Sequence, residues 1–235
     1  MIQTGLPGDV LQRAADFGML TDRAATLASW GAAETDQPCF RMQRDGGTGK
    51  PRLYVYGMIG GWRLDSQRFV QQVHAIESMA FDLHVNSPGG FVHDAVAMFQ
   101  AVRSHPAQVT AHIDGLAASA ASFLALAADE VVIAEGAREM IHDAQGIAMG
   151  SPALMREAAD LGDSISDDIA GLYAARAGGK RETWRAAMRA TTWYSARQAV
   201  DVGLADRLAT PETPGPDNRT RLIQARHRAL TTPGG

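Results

Sequence analysis

Two serines three positions apart, Ser119 and Ser122, interrupt an otherwise alanine-rich run, DGLAASAASFLALAAD, at residues 114–129. A serine hydroxyl inside a helix competes with the backbone for hydrogen bonds, so it is neutral to mildly unfavourable there unless something uses it. Close packing of a buried helix is one use, and nucleophilic attack is another. In the first turn of a helix a serine sits beside free backbone N–H groups at the positive end of the dipole, where an alkoxide-like charge is favoured. Ser119 fits that place, with the N–H of Ala120 beside it. Ser122 lies one turn deeper, where its hydroxyl meets helix carbonyls. Two other stretches offer complementary chemistry. NSPGG at 86–90 sets two glycines after a proline, a backbone able to turn sharply and present amides to a developing oxyanion. REMIHD at 138–143 brings His142 to the end of a short apolar stretch, and imidazole is suited to take a proton from a serine hydroxyl near neutral pH. Of the seven histidines, His84 and His112 fall inside expected strands, His93 and His105 flank a helix, and His74 and His227 lie on helical stretches. Only His142 closes a strand directly after the serine-bearing unit.

An alternation of strands and helices must hold these groups. LYVYGMI (53–59) reads as a strand ending in Gly60-Gly61, and SQRFVQQVHAIES (66–78) as a helix with Phe69, Val73 and Ile76 on one face. FDLHVN (81–86) is a strand stopped by SPGG, DAVAMFQAVRS (94–104) a helix, and VTAHID (109–114) a strand stopped by Gly115, after which the alanine-rich helix begins. EVVIAE (130–135) and REMIHD are two more short strands. Strands alternating with helices of this length predict an α/β arrangement with a largely parallel sheet. After Ser151-Pro152 a long helix is expected to about residue 178, with Leu154, Ala158, Leu161, Ile165, Ile169 and Leu172 on a narrow stripe and Arg156, Glu157, Asp160, Asp163, Asp167 and Asp168 on the other faces. A helix of about 25 residues running past one domain exposes apolar surface for a partner chain to cover. Residues 1–50 read as an N-terminal arm, 51–209 as the main domain, and 210–235 as a Pro-rich mobile tail. QRDGGTGKP (43–51) imitates a phosphate loop, but Arg44 stands where the first glycine belongs and Pro51 follows Lys50 in place of Ser or Thr, so a turn is expected.

Composition narrows the classes. The 235 residues are 46% apolar and 20% charged, the balance of a soluble globular protein, with a formal net charge of -4. That charge carries no electrostatic footprint for nucleic acid or an anionic membrane, and the basic run RTRLIQARHR near the C-terminus reads as a solvated face or tail. The single cysteine, Cys39, excludes an intrachain disulfide framework and a cysteine-rich zinc site, and its surroundings predict a structural residue. No secretion signal and no run approaching the roughly 20 apolar residues of a bilayer span is present, so the cytoplasm is the expected compartment.

NSPGG, then GLAASAAS, then MIHD, then WYSARQAVDVGLADRL, in that order, resemble the Clp peptidase family over about residues 53–208. The wording DGLAASAAS and the acidic long helix most resemble its phage branch, the head-maturation (prohead) proteases. The resemblance implies a right-handed coil of ββα units, the fold shared with crotonases, with the helix from about 152 to 178 as the handle that joins rings face to face. It also implies a serine endopeptidase in which Ser119 is the nucleophile and His142 the general base. The N–H groups of Gly90 and Ala120 would form the oxyanion hole, with Gly89 the less favoured neighbour, and neither metal nor organic cofactor would be needed. One position departs from the family: Thr191 falls in the slot of the triad acid. Removing that acid from a triad costs around 10⁴ in turnover. Either Asp143, Asp163 or Asp167 substitutes, or the site is a Ser-His dyad, or the chain is an inactive ring-forming subunit. The implied partners are a polypeptide substrate and further copies of the chain, in a heptameric ring or stacked rings. A phage-type enzyme would process capsid or scaffold protein in the host cytoplasm or immature capsid, and a cellular one would degrade chains delivered by an ATPase. A crotonase-like acyl-CoA enzyme is the remote alternative, disfavoured because crotonases usually rely on carboxylates.

Overall fold

The computed structural model describes residues 40–44, 49–60 and 66–210. The expectations for residues 1 to 39, Cys39 included, and for the tail beyond residue 210 lie outside the described residues.

Eight strands form one sheet: β1 (Phe40–Arg44), β2 (Pro51–Tyr56), β3 (Ala80–Ser87), β4 (Gln108–Ala118), β5 (Glu130–Ile133), β6 (Arg138–Ile141), β7 (Thr192–Ser195) and β8 (Arg207–Leu208). The main path runs β1-β2-β3-β4-β5-β8, parallel throughout except that β1 is antiparallel to β2. Alternating residues of the central strands, among them Leu53, Val55, Leu83, Val85, Ala111, Ile113, Val131 and Ile133, are fully buried. They share the core with Phe69 and Val73 of α1 (Ser66–His74), with Met98, Phe99 and Val102 of α2 (Val92–Arg103), and with Phe123 and Leu124 of α3 (Ala120–Ala125). Helices α4 (Pro152–Ala177), α5 (Arg181–Arg189) and α6 (Ala196–Asp201) complete the described elements. The opposite register of the central strands carries Tyr54, Asp82, His84, His112 and Asp114, a polar and aromatic row.

The α/β alternation follows the sequence pattern, and α4 starts at the expected Pro152, capped by Ser151, whose Oγ accepts from the N–H of Leu154 at 3.3 Å. The region around the serines differs from the expectation. Residues 114–118 do not open the alanine-rich helix. They continue β4, and only six residues, Ala120–Ala125, are helical. Gly115 does not stop the strand because a second partner takes over: β5 pairs with Thr110–Ile113, and β6 pairs in parallel with Leu116–Ala118. Ladder hydrogen bonds from a strand some twenty residues away override the poor β-propensity of alanine. Strands β1, β7 and β8 are too short or too polar for the periodicity to reveal.

Glu139, in the centre of β6, is 0% exposed, and neither carboxylate oxygen has a hydrogen-bond partner among the described residues. Its neighbours across the ladder are Ala117 and Tyr194. Burial pushes its carboxyl up to about 8, so the folded chain holds it protonated at neutral pH. A folded value above the unfolded one means that the native state binds the extra proton, and stability falls as pH rises from the unfolded value through about 8. Glu139→Gln removes this dependence. Thermal unfolding followed across that window should show the native protein losing Tm with rising pH relative to the variant; two parallel curves would show that Glu139 is not carrying a buried proton.

Candidate active site

The far end of β4 and the end of β6 bring the serine and the histidine together. Ala118 pairs with Met140, and the N–H of Ser119 donates to the Met140 carbonyl at 2.7 Å. His142 follows two residues later, and its Nε2 lies 2.8 Å from Ser119 Oγ. If the Ser119 hydroxyl donates to Nε2, the imidazole proton sits on Nδ1. Nδ1 is buried without a hydrogen-bond partner among the described residues.

Ser119 is the N-cap of α3, at φ 55 and ψ -125, outside the allowed regions for a residue with a side chain. The strand passes into the helix with no intervening loop, and the turn falls on this one residue, which pushes the hydroxyl outward. Strain of this kind costs of order 1–3 kcal/mol and persists only where neighbours over-determine it. Here those neighbours are the Met140 carbonyl and the glycine loop after β3. A Cβ at Gly89 would meet the Ala118 carbonyl at 2.6 Å, Ser119 Cβ at 2.7 Å and the Ala120 nitrogen at 2.9 Å, so only glycine lets the loop lie this close. Gly89 is at φ 97 and Gly90 at φ 151, both in glycine's territory. The N–H of Gly89 is committed to Ser87 Oγ at 3.1 Å. Gly90 lines the cleft, and Ala120, first in its helix, has an N–H with no partner inside that helix. Two such donors beside a nucleophilic hydroxyl can hold the oxyanion of a tetrahedral intermediate.

These groups line a cleft of about 300 Å³, walled also by Met58, Phe123, Met140, Ile169, Tyr173 and Thr191. Ser122 is fully buried behind it and does what its depth in the helix predicts: its Oγ donates to the Ser119 carbonyl at 2.5 Å and lies 2.6 Å from Tyr173 Oη of α4.

Thr191 reaches the cleft wall, but its hydroxyl does not engage Nδ1 of His142. It follows the last turn of α5 with φ 51, a strained conformation for a β-branched residue. The three aspartates considered as substitutes are gathered elsewhere, around one cation. Arg185 of α5, 3% exposed, pairs with Asp143, with Asp163 Oδ1 at 2.5 Å and with Asp167 Oδ1 at 2.7 Å. Sequence reasoning missed Arg185; the spacing of Asp163 and Asp167, one helical turn apart, was the available signal. It also missed Ser166, whose Oγ accepts from the N–H of Ala144 at 2.9 Å and donates to the Gly162 carbonyl at 2.8 Å. Together Arg185 and Ser166 tie the segment leaving His142 to α4 and α5, so both act as positioning residues.

A family model described as Clp protease matches residues 63–212. This chain belongs to the Clp protease family. It is 32% identical over 136 residues to an ATP-dependent Clp protease proteolytic subunit of Pleurastrum terricola, covering 57% of this chain and 69% of that one. An ATP-dependent Clp protease proteolytic subunit 3 of Streptomyces coelicolor is 30% identical over 128 residues, 54% of this chain and 59% of its own length. Among solved structures, a point mutant of ClpP1 from Listeria monocytogenes superposes with a TM-score of 0.61 at 21% identity, covering 68% of this chain and 92% of that chain. The fold is therefore that of the Clp peptidases, including the long handle helix. Among the described residues, no helix is long and apolar enough to cross a membrane.

Ser122→Ala separates the two serines. It leaves the fully buried Tyr173 hydroxyl without its partner and should cost about 1–3 kcal/mol of stability while the Ser119–His142 pair stays in place. Denaturant unfolding measures the cost; a variant as stable as the parent would mean that the buried pair contributes nothing.

Proposed function

We propose that this chain is a serine endopeptidase of the Clp type, in which Ser119 attacks the scissile carbonyl and His142 moves the proton. The observation that carries the reading is the 2.8 Å contact between Ser119 Oγ and His142 Nε2, set beside the amides of Gly90 and Ala120. As Oγ bonds to the carbonyl carbon, its proton passes to Nε2, and the carbonyl oxygen takes up negative charge facing the two amides. Nε2 then returns the proton to the leaving amine, and a water repeats the sequence on the acyl-enzyme. Among the described residues no carboxylate meets Nδ1 of the imidazolium formed on the way, so the reading is of a Ser-His dyad with turnover well below that of a complete triad.

Within that class, the DGLAASAAS wording and the acidic faces of α4 support the head-maturation type, with capsid or scaffold protein as substrate. The rival role is degradation of chains fed by an ATPase. The expected assembly is a ring or pair of rings, seven-fold by resemblance, joined through α4. Its N-terminal half supports this, because Leu154, Met155 and Leu161 are exposed there, Leu161 by 61%. Light scattering of the full chain should give a multiple of the 25.0 kDa mass. A monomer at micromolar concentration with α4 folded would defeat the assembly reading.

A fluorophosphonate probe followed by mass spectrometry tests the chemistry. Adduct on Ser119, lost in Ser119→Ala and His142→Ala, is the expected result; an unlabelled folded chain would instead mark an inactive ring-forming subunit. Thr191→Asp probes the missing charge. Aspartate tolerates a positive φ better than threonine and, at the cleft wall, can accept from Nδ1–H. Peptide turnover should rise ten-fold or more by order of magnitude, mainly in kcat. No gain in a folded variant would mean that this slot does not face Nδ1.

A further inference from the structure

We propose that Asp82, His84 and His112 form a binding site for a divalent transition metal, best matched by Zn²⁺, on the polar face of the sheet. Asp82 and His84 stand two apart on β3, and His112 lies directly opposite His84 on the neighbouring parallel strand β4. Period-two alternation puts all three side chains on the same face, away from the helices. One donor atom from each residue lies within 4.8 Å of the other two. His112 Nε2 is 3.3 Å from Asp82 Oδ1, about the separation of two donors sharing one tetrahedral ion at bond lengths of roughly 2.0–2.1 Å.

The charges and tautomers suit a metal. Asp82 offers a carboxylate oxygen that already draws two basic side chains, Lys50 and His112. His84 Nδ1 lies 2.9 Å from Asp114 Oδ2, and Asp114 also accepts from Tyr56 Oη at 2.6 Å. A carboxylate on Nδ1 fixes that proton and turns the Nε2 lone pair outward, the carboxylate–histidine arrangement that supports metal-bound imidazoles. Both rings are partly open to solvent, with side-chain exposures of 18% and 30%. Two imidazole nitrogens and one carboxylate oxygen select zinc and its first-row neighbours over calcium or magnesium, and leave a fourth position for water or a donor from another chain.

Two features oppose binding and therefore shape the test. The rings of His84 and His112 are stacked, with centroids 4.7 Å apart and planes 12° from parallel, and they must fan apart to converge on one ion. Lys50 Nζ sits 2.5 Å from Asp82 Oδ1 and competes with a cation for that oxygen. An ion here would clamp β3 to β4 upstream of the points where β3 runs out into Gly89-Gly90 and β4 into Ser119.

Titration of the metal-stripped full chain with zinc chloride, by calorimetry and by the rise in Tm, decides the matter. The expected result is one Zn²⁺ per chain with a Kd of ~10 µM or tighter. His84→Ala and His112→Ala should each weaken it at least ten-fold, Asp114→Asn by roughly ten- to a hundred-fold, and His142→Ala not at all. Lys50→Ala should tighten it, a gain that general destabilisation does not produce. Absence of one-to-one binding, or an affinity unmoved by His84→Ala and His112→Ala, overturns the site. Should those two variants fail to fold, Lys50→Ala decides alone: tighter binding supports the site, and unchanged or weaker binding overturns it.

Discussion

The active-site geometry depends on one strand having two partners along the same edge. The first half of β4 is paired by β5 and the second half by β6, so the chain leaves β4, turns through a six-residue helix, and returns to that edge twice. The second return sets the register of Ala118 against Met140, and the hydrogen bond from Ser119 N–H to the Met140 carbonyl ends the ladder. Shifting β6 by a single residue would carry His142 to the opposite face and Glu139 into the cleft. The contact between Ser119 and His142 is thus a consequence of ladder register rather than of loop placement, which is why two side chains on separate elements can be held at hydrogen-bond distance.

That register also explains the strain at Ser119. A parallel ladder carried to Ala118 leaves no residues in which to turn before α3, so the reversal falls on one residue with a positive φ. The glycine loop after β3 closes over this point so tightly that a methyl group at Gly89 would overlap the Ala118 carbonyl and Ser119 itself. The close approach that excludes a side chain at Gly89 is what sets Gly90 and Ala120 along the same cleft as the hydroxyl.

Much of this is legible in the sequence because it is local. The β-branched and aromatic strands, the Pro152 helix start, and the separate roles of Ser119 and Ser122 follow from short-range chemistry. The extension of β4 through Gly115–Ala118 is not local: LAA reads as helix by propensity, and its strand partner lies beyond an intervening helix and strand. Arg185 is similar, since its three carboxylates come from the stretch after His142 and from α4, brought together only by the tertiary fold. The Asp82–His84–His112 trio was hidden for the same reason. Each histidine is ordinary in its own strand, and only the parallel register sets them side by side.

The charges around the cleft follow a single pattern. Asp143 is adjacent in sequence to His142, yet it is turned into the Arg185 cluster with Asp163 and Asp167, and Glu139 is held protonated on the strand that leads to the histidine. Three carboxylates thus share one guanidinium, and among the described residues none of them bonds to Nδ1 of His142. The uncharged Thr191 stands on the cleft wall, and no other carboxylate among the described residues bonds to Nδ1 of His142. In the proposed mechanism the backbone amides and the fixed Ser119–His142 distance carry what an acidic third member would otherwise share.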